Sequence, residues 1–173
     1  MAKVVRLVQL SPPAIHALAA GDLAAANRAA PIVLTPYFVG PEWRRVWRRR
    51  SRQIDDDPGS LGWITAVIVD AEQDTAVGRA GFHGPPDAGG MVEIGYAVDP
   101  AHRRQGYARA AVVALLERAA READVRTVRA TISPDNIASR RLVAQYGFVE
   151  VGDQWDDEDG LETIFEVPAP GGS

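Results

Sequence analysis

Residues 98–108 read VDPAHRRQGYA, and no other stretch of the chain is as informative about the fold. A β-rich run at residues 91–98 stops at Asp99, and the pattern R-x-x-G-x-A follows at residues 103–108, directly before an amphipathic helical stretch. The first N–H groups of a helix have no intrahelical partner and lie at the positive end of the helix dipole. The pattern therefore predicts a helix start whose main-chain amides bind a diphosphate, with Gly106 letting the backbone approach the anion closely.

A second pattern lies downstream, where Asn136 and Ser139 form N-x-x-S and a short helical stretch ends at Gly147, followed by Phe148. The two patterns occur in this order with one helix and one strand between them. Together they resemble the signatures of the GNAT N-acetyltransferase superfamily, and the resemblance covers residues 63–167. It implies a GNAT-like acyl-CoA N-acyltransferase fold of the α/β (α+β) class, with a mixed, largely antiparallel central sheet flanked by helices.

The resemblance also implies a donor and its binding residues. The donor is acetyl-CoA: the loop before the helix binds its diphosphate, and the preceding strand and the motif asparagine contact its pantetheine arm. Carried over by position, the donor-binding residues are Ala97, Val98, Arg103, Arg104, Gln105, Gly106, Tyr107, Ala108 and Asn136. The plainer interpretation is a solvent-facing helix start with basic residues, and a polar residue that satisfies backbone groups at a second helix.

For the transfer itself, the resemblance implies that an uncharged primary amine attacks the thioester directly, and a base must then accept the amine proton. Glu93 is the candidate base because it lies on the central strand, although alternation along residues 91–98 allows either face and a structural salt bridge is the alternative. His83, at the end of the preceding strand, is a second candidate base. Ser139, one helical turn after Asn136, is the candidate that protonates the leaving thiolate.

One position departs from the family pattern. Many members have a tyrosine general acid seven residues after the motif asparagine, whereas this chain has Val143 there, and Tyr146 cannot be assumed to replace it. The branch that acetylates ribosomal-protein N-termini, the Rim-type enzymes, also lacks that tyrosine. The EIGY segment at residues 93–96 resembles the same branch, so the acceptor is expected to be a peptide N-terminus or a small-molecule amine.

Composition sets further bounds. The 173 residues predict a single domain over 1–173, with a flexible tail at residues 168–173. Cysteine is absent, which excludes disulfides, thiolate catalysis and cysteine-ligated zinc, and the three histidines lack ligand spacing, so no metal is expected. No apolar run is long enough for a membrane span, and the first residues are interpreted as a strand and a helix rather than a secretory signal. A cytoplasmic enzyme is expected.

Charge is distributed unevenly along the chain. The net charge of −4 makes nucleic acid an unlikely partner, but an arginine run lies within residues 44–52 and an acidic run within residues 153–159. The acidic run is predicted as a turn between the last two strands that attracts a cationic amine, and the arginines would favour an acidic acceptor instead. Each run is explained equally well as a solvated surface, so the acceptor stays open. The resemblance is compatible with a monomer or a homodimer.

The remaining elements follow from periodicity and turn residues. Strands are predicted at residues 3–10, 63–69, 76–82, 125–132, 148–152 and 161–167, and helices at residues 14–30 with a break at Gly21-Asp22, at 42–54, from Gly106 onward, and after Ser133-Pro134. A non-catalytic acyl-CoA sensor with the same fold is the alternative function. A nucleotide-phosphate enzyme is disfavoured because neither G-x-x-x-x-G-K-[ST] nor G-x-G-x-x-G occurs.

Overall fold

The architecture is taken from a computed structural model that describes residues 2–170. Seven strands form a mixed sheet in the order β1-β2-β3-β4-β5-β7-β6. They are β1 Val5–Val8, β2 Ala66–Asp70, β3 Thr75–Phe82, β4 Met91–Val98, β5 Thr127–Ile132, β6 Val149–Asp156 and β7 Gly160–Pro168. Strands β4 and β5 run parallel, whereas the pairs β1–β2, β2–β3, β5–β7 and β6–β7 are antiparallel. The predicted fold class is confirmed.

Several of the helices begin directly after a residue whose side chain caps them. They are α1 Pro12–Ala20, α2 Leu23–Ala29, α3 Pro41–Asp56, α4 Tyr107–Arg121 and α5 Ile137–Ala144. The Ser11 side chain accepts a hydrogen bond from the Ala14 amide and caps α1, and Asp22 does the same for α2 through the Ala25 amide. The predicted break at Gly21-Asp22 is therefore confirmed. No helix between residues 2 and 170 has both the length and the apolar character needed to cross a membrane.

The chain divides into two compact units. The first comprises Met1–Gly81 and Tyr96–Ala111, and the second comprises Phe82–Gly95 and Val112–Ser173. In the first unit α1, α3 and strand β2 enclose an apolar core that includes Leu18, Phe38 and the fully buried Trp47. In the second unit Val112, Leu115, Ala119, Val128 and Val143 are buried to 1% exposure or less. The prediction of one domain over the whole chain stays a prediction.

Several boundaries differ from the predictions, and two of the differences have a local cause. Trp63 belongs to a 3₁₀ turn, Pro58–Trp63, and strand β2 begins only at Ala66. Helix α5 is capped by Asn136 rather than by Ser133, because the Asn136 side-chain oxygen accepts a hydrogen bond from the Ser139 amide at 3.2 Å. The Ser-Pro pair resembles a helix start in sequence, but an asparagine three residues later satisfies the helix amides instead.

The acidic run was predicted to be one turn, and this is wrong for its first half. Strand β6 continues to Asp156 and pairs with β7, with Asp153 opposite Thr163. Only residues 157–159 turn, and the Asp156 carboxylate holds that turn by accepting the amides of Glu158 and Asp159 at 2.8 Å.

The arginine run also departs from a uniformly solvated surface. Arg50 is only 5% exposed, and its guanidinium donates to the Thr65 hydroxyl at 3.1 Å and to the Gln53 side chain at 2.7 Å. Polar partners on both sides make this burial possible. The other members of the run, Arg44, Arg45, Arg48, Arg49 and Arg52, are exposed as expected.

Residues 168 and 169, predicted as part of a flexible tail, are ordered parts of the fold. Pro168 is the last residue of β7, and Ala169 is 4% exposed, with its amide donating to the Arg126 carbonyl at 2.8 Å. Residues 171–173 lie outside the described residues.

Close backbone packing at Gly81 gives a stability prediction. A Cβ at this position would lie 2.6 Å from the Ile64 carbonyl oxygen and 2.7 Å from the Thr65 Cα, both of them backbone atoms with little room to move. Gly81→Ala is therefore expected to lower the free energy of unfolding by about 1–3 kcal/mol, as overpacking does. Urea unfolding measures the change. Gly62, whose added Cβ would meet nothing within 4 Å, is the matched control, and equal effects of Gly62→Ala and Gly81→Ala would contradict the prediction.

Candidate active site

The connection from β4 to α4 contains two residues with left-handed backbone. The Asp99 carboxylate accepts a hydrogen bond from the Ala101 amide at 3.0 Å and starts a 3₁₀ turn, Pro100–His102, after which α4 begins at Tyr107. Between these elements Arg104 has a φ of +62° and Gly106 a φ of +92°. A φ above +60° is uncommon for a residue with a side chain and is natural for glycine. The loop conformation thus requires glycine at position 106.

The amides of this loop and of the helix start are unpartnered. Among the described residues, none accepts a hydrogen bond from the backbone N–H groups of residues 104–108. Nothing but the Lys3 Cγ, at 3.8 Å, lies within 4 Å of where a Cβ on Gly106 would be. Several free donors at an open helix start are the arrangement that binds phosphate groups. The residues at this position therefore fit the predicted diphosphate.

Tyr107 contributes to the loop in a way that the sequence did not reveal. Its side chain is 2% exposed, and its hydroxyl donates to the Asp70 carboxylate at 2.6 Å. The Lys3 ammonium lies 3.4 Å from the same oxygen and 4.9 Å from the centre of the tyrosine ring. Because the phenol is committed to Asp70, Tyr107 can offer a diphosphate its amide but not its side chain.

The Asp70 carboxylate is the centre of this network. The pKa of Asp70 is lowered to about 2, first by the Tyr107 hydrogen bond and then by the amides of Gln73 and Glu72 and by Lys3, against the opposing effect of burial. The pKa of Lys3 is raised, first by its own interaction with the Tyr107 hydroxyl and then by Asp70, against the opposing effect of burial. Asp70 and Lys3 were not singled out as site residues, since an aspartate before a hairpin turn is explained by the turn alone.

The Arg103 side chain folds back onto the strand that precedes it. Its Nε donates to the Val98 carbonyl at 3.1 Å, so part of the guanidinium is used within the protein while the residue stays exposed. The carbonyl of Val98, predicted to bind the pantetheine arm, therefore already has one partner.

Strands β4 and β5 separate after a short parallel ladder. The ladder joins Met91–Glu93 to Thr127–Arg129, and within the described residues it includes neither Ile94 nor Gly95, although β5 continues to Ile132. Unpaired backbone groups on a central strand are uncommon unless another group satisfies them. The parallel pairing of β4 with β5 therefore ends at Glu93.

Glu93 and His83, predicted as alternative bases, are brought together. The Glu93 carboxylate accepts a hydrogen bond from the Thr131 hydroxyl at 2.6 Å, and the same oxygen lies 3.5 Å from Nδ1 of His83. A Cβ on Gly95 would come within 2.8 Å of the His83 Nε2, so the ring lies directly over this glycine. A partner for His83 could not be predicted from the sequence, because Glu93, which supplies the carboxylate, lies on the next strand.

On α5 the two interpretations of Asn136 are compatible. Its side-chain oxygen caps the helix, while its side-chain nitrogen has no partner among the described residues, and the side chain is exposed. The hydroxyl of the half-buried Ser139 likewise makes no hydrogen bond within residues 2–170. Val143, at the position where many family members have tyrosine, is fully buried.

With this geometry described, comparison with known proteins identifies the family. The sequence profile of the Acetyltransferase (GNAT) domain matches residues 10–149. The chain therefore belongs to the GNAT acetyltransferase family, as the two motifs predicted.

Two uncharacterized N-acetyltransferases of Bacillus subtilis are similar in sequence. YjdG is 35% identical over 91 residues, which cover 53% of this chain and 54% of that protein. YnaD is 32% identical over 75 residues, which cover 38% of this chain and 44% of that protein. The chain thus spans about half the length of the curated relatives that it matches.

Solved structures share the fold at low sequence identity. Spermidine N-acetyltransferase from Vibrio cholerae, a dodecamer, has a TM-score of 0.65 at 14% identity, covering 95% of this chain and 94% of that one. The ribosomal-protein-S5-alanine acetyltransferase from Vibrio fischeri has a TM-score of 0.63 at 18% identity, covering 98% and 94%. RimL, a ribosomal L7/L12 acetyltransferase solved with coenzyme A, has a TM-score of 0.65 at 19% identity, covering 97% and 96%.

Removal of the Tyr107 hydroxyl tests the network at the helix start. Tyr107→Phe is expected to raise the pKa of Asp70 from about 2 toward its ordinary value of 3.8, because the largest cause of the depression is lost. An ionised Asp70 stabilises the fold above pH 3.8, and this contribution disappears as the pH falls through about 2. In the variant it is smaller and disappears at higher pH. A carboxyl NMR titration and urea unfolding at several acidic pH values measure both effects.

The matched control is Asp74→Asn. It removes a carboxylate that lies in the turn after β2, is 72% exposed and pairs with Arg6 on β1. It is expected to leave the Asp70 pKa near about 2. An Asp70 pKa that does not respond to Tyr107→Phe would show that the phenol does not hold the carboxylate.

Proposed function

We propose that the protein is an N-acetyltransferase that moves an acetyl group from acetyl-CoA directly to a primary amine, either a peptide N-terminus or a small molecule. The observation that carries the proposal is the set of unpartnered amides at residues 104–108 before α4. Protein interiors and loops rarely leave so many consecutive donors unused unless water or a ligand takes them. A place in the Rim-type branch is part of the proposal, supported by the EIGY segment and by Val143.

In this proposal the amides of Arg104, Gln105, Gly106, Tyr107 and Ala108 bind the diphosphate of the donor, and the positive end of the α4 dipole adds to their attraction. Arg103 and Arg104 supply positive charge at the same loop. Ala97 and Val98 are proposed to contact the pantetheine arm through their backbone, and Asn136 through its free side-chain nitrogen. Bound acetyl-CoA supplies an activated acyl group as a thioester.

Glu93 is proposed to accept the proton that the attacking amine loses, directly or through one water molecule. Its hydrogen bond with Thr131 fixes the carboxylate, and the neighbouring His83 offers a route for the proton onward to solvent. Ser139 is proposed to give a proton to the departing thiolate. No step requires a covalent bond to the protein.

A cytoplasmic location, where acetyl-CoA is available, belongs to the same proposal, as does a monomeric or homodimeric state. Similar structures include enzymes for spermidine and for ribosomal proteins, and this range supports an amine acceptor without choosing its kind.

Donor binding is tested at two positions. Gly106→Val forces a branched residue to adopt a φ of +92° and is expected to weaken acetyl-CoA binding at least tenfold by distorting the amides, measured by calorimetry. Asn136→Asp keeps an oxygen that caps α5 but removes the side-chain nitrogen, and it is expected to weaken binding while leaving thermal stability near that of the parent.

Asn136→Ala, which removes cap and nitrogen together, completes the comparison. It is expected to lose about 1 kcal/mol of stability as well as affinity. If Gly106→Val and Asn136→Asp both bind acetyl-CoA as tightly as the parent while remaining folded, the donor assignment is wrong.

Transfer is tested by thiol release from acetyl-CoA with a panel of amines, amino acids, aminoglycosides and peptide N-termini, and product masses confirm acetylation. Glu93→Gln keeps the hydrogen bond to Thr131 but cannot accept a proton, so kcat is expected to fall at least tenfold with little change in the Kd for acetyl-CoA.

Glu166→Gln is the matched control, because Glu166 is a similarly buried carboxylate on β7 paired with Arg129. It is expected to keep the parent's kcat. An unchanged pH–rate profile in Glu93→Gln would remove Glu93 from the mechanism. Tight acetyl-CoA binding without turnover of any amine would favour the non-catalytic sensor.

A further inference from the structure

A polar cluster in the first unit has hydrogen-bond donors and no acceptors to match them. It consists of Arg79 on β3, Tyr37 in the 3₁₀ turn Pro36–Val39, and Trp43 on α3. The Arg79 guanidinium lies 4.2 Å from the centre of the Trp43 ring, and the Tyr37 and Trp43 rings are 5.5 Å apart in an edge-to-face arrangement. The three side chains therefore form one contiguous group, called here the Arg79 cluster.

Each member of the Arg79 cluster has a buried polar atom that lacks a partner. These atoms are Nε of Arg79, Nε1 of Trp43 and the hydroxyl oxygen of Tyr37. Among residues 2–170, Arg79 forms neither an ion pair nor a hydrogen bond. Its guanidinium contacts the ring of Trp43 instead. Burial of a cation in this way is unfavourable unless an anion reaches it.

Arg50 provides the comparison within the same unit. It is 5% exposed, whereas Arg79 is half-buried, and hydrogen bonds to Thr65 and Gln53 occupy the Arg50 guanidinium. The protein thus satisfies the buried Arg50 internally, and no residue between 2 and 170 accepts a hydrogen bond from the buried Nε of Arg79. A structural arginine would be expected to resemble Arg50.

The protonation states make the Arg79 cluster a set of donors at neutral pH. Burial raises the pKa of Tyr37 to about 12, so its hydroxyl keeps its proton. Burial lowers the pKa of Arg79 to about 10, which leaves the guanidinium charged. A guanidinium, a phenol hydroxyl and an indole N–H together match the oxygens of a carboxylate or a phosphate.

Neighbouring charges are mixed but leave Arg79 unneutralised. The charges of Asp99 and Glu42 raise the pKa of Tyr37, whereas the charge of Arg103 lowers it. Among the described residues neither carboxylate forms an ion pair with Arg79, and the Asp99 carboxylate already accepts the Ala101 amide. The cationic character of the Arg79 cluster is therefore available to a ligand.

We propose that the Arg79 cluster binds an anionic group of the acceptor, so that the preferred substrate is an amine that also carries a carboxylate, such as an amino acid or a short acidic compound. This inference rests on the proposed function. The acceptor is favoured over the donor as the source of the anion because the free amides at residues 104–108 already provide for the diphosphate. A planar, stacked guanidinium also suits a single carboxylate bound through two oxygens.

The first test uses pairs of amines that differ only in the anion. The pairs are β-alanine with propylamine, and O-phosphoethanolamine with ethanolamine. The parent is expected to turn over the anionic member with a kcat/KM at least about tenfold higher, as a charge-assisted hydrogen bond provides. Arg79→Gln is expected to abolish this preference, and Arg79→Lys to restore part of it because charge returns without the planar fork.

Arg48→Gln is the matched control, because it removes the same charge from an exposed position on α3. It is expected to keep the parent's preference. Circular dichroism checks that each variant is folded, and the Kd for acetyl-CoA is measured in each. If Arg79→Gln weakens acetyl-CoA binding and leaves acceptor preference unchanged, the anion belongs to the donor and the proposal is overturned.

A second measurement does not depend on turnover. The Nε–H signal of Arg79 in nitrogen-15 NMR is expected to shift downfield when β-alanine is added and to stay in place with propylamine. No shift with any anionic member of the pairs overturns the proposal even if the enzyme is active. A shift without acetylation of any amine instead supports the anion site and contradicts the proposed function, so the two failures are distinguishable.

Discussion

The hydrogen bond from the Tyr107 hydroxyl to the Asp70 carboxylate is the contact on which the helix start depends. It places the first side chain of α4 inside the protein, against the last residue of β2, at 2.6 Å. With the side chain held there, the backbone of residues 104–108 is left at the surface with its amides unused. The burial of the Tyr107 side chain thus accounts for the exposure of the amides beside it.

The protein treats its polar groups in two ways. Most buried ones are satisfied within the chain, as Arg50 is by Thr65 and Gln53. Other polar groups have hydrogen-bonding capacity that no described residue uses, such as the exposed side-chain nitrogen of Asn136, whose oxygen caps α5. Such groups are candidate positions for ligands. The free amides before α4 and the Arg79 cluster both belong to this set.

Local chemistry made much of the fold predictable. The helix break at Gly21-Asp22 and the extent of β4 depend on residues close in sequence, and both were identified correctly. Asp70 escaped prediction because its partner Tyr107 is 37 residues away, and a sequence pattern carries no information about such pairs. Asn136 displaced Ser133 as a cap since both residue types suit that role, and only the path of the backbone decides between them.

Binding through main-chain amides has a consequence for how this sequence can change over time. The side chains of Arg104 and Gln105 point to solvent, so substitutions there alter the local charge without removing any amide. The backbone shape, by contrast, depends on a single glycine with a φ of +92° and on an internal tyrosine. The positions of the amides are therefore set by residues that offer a ligand no side chain, whereas side-chain changes at the loop surface alter the charge that attracts the ligand.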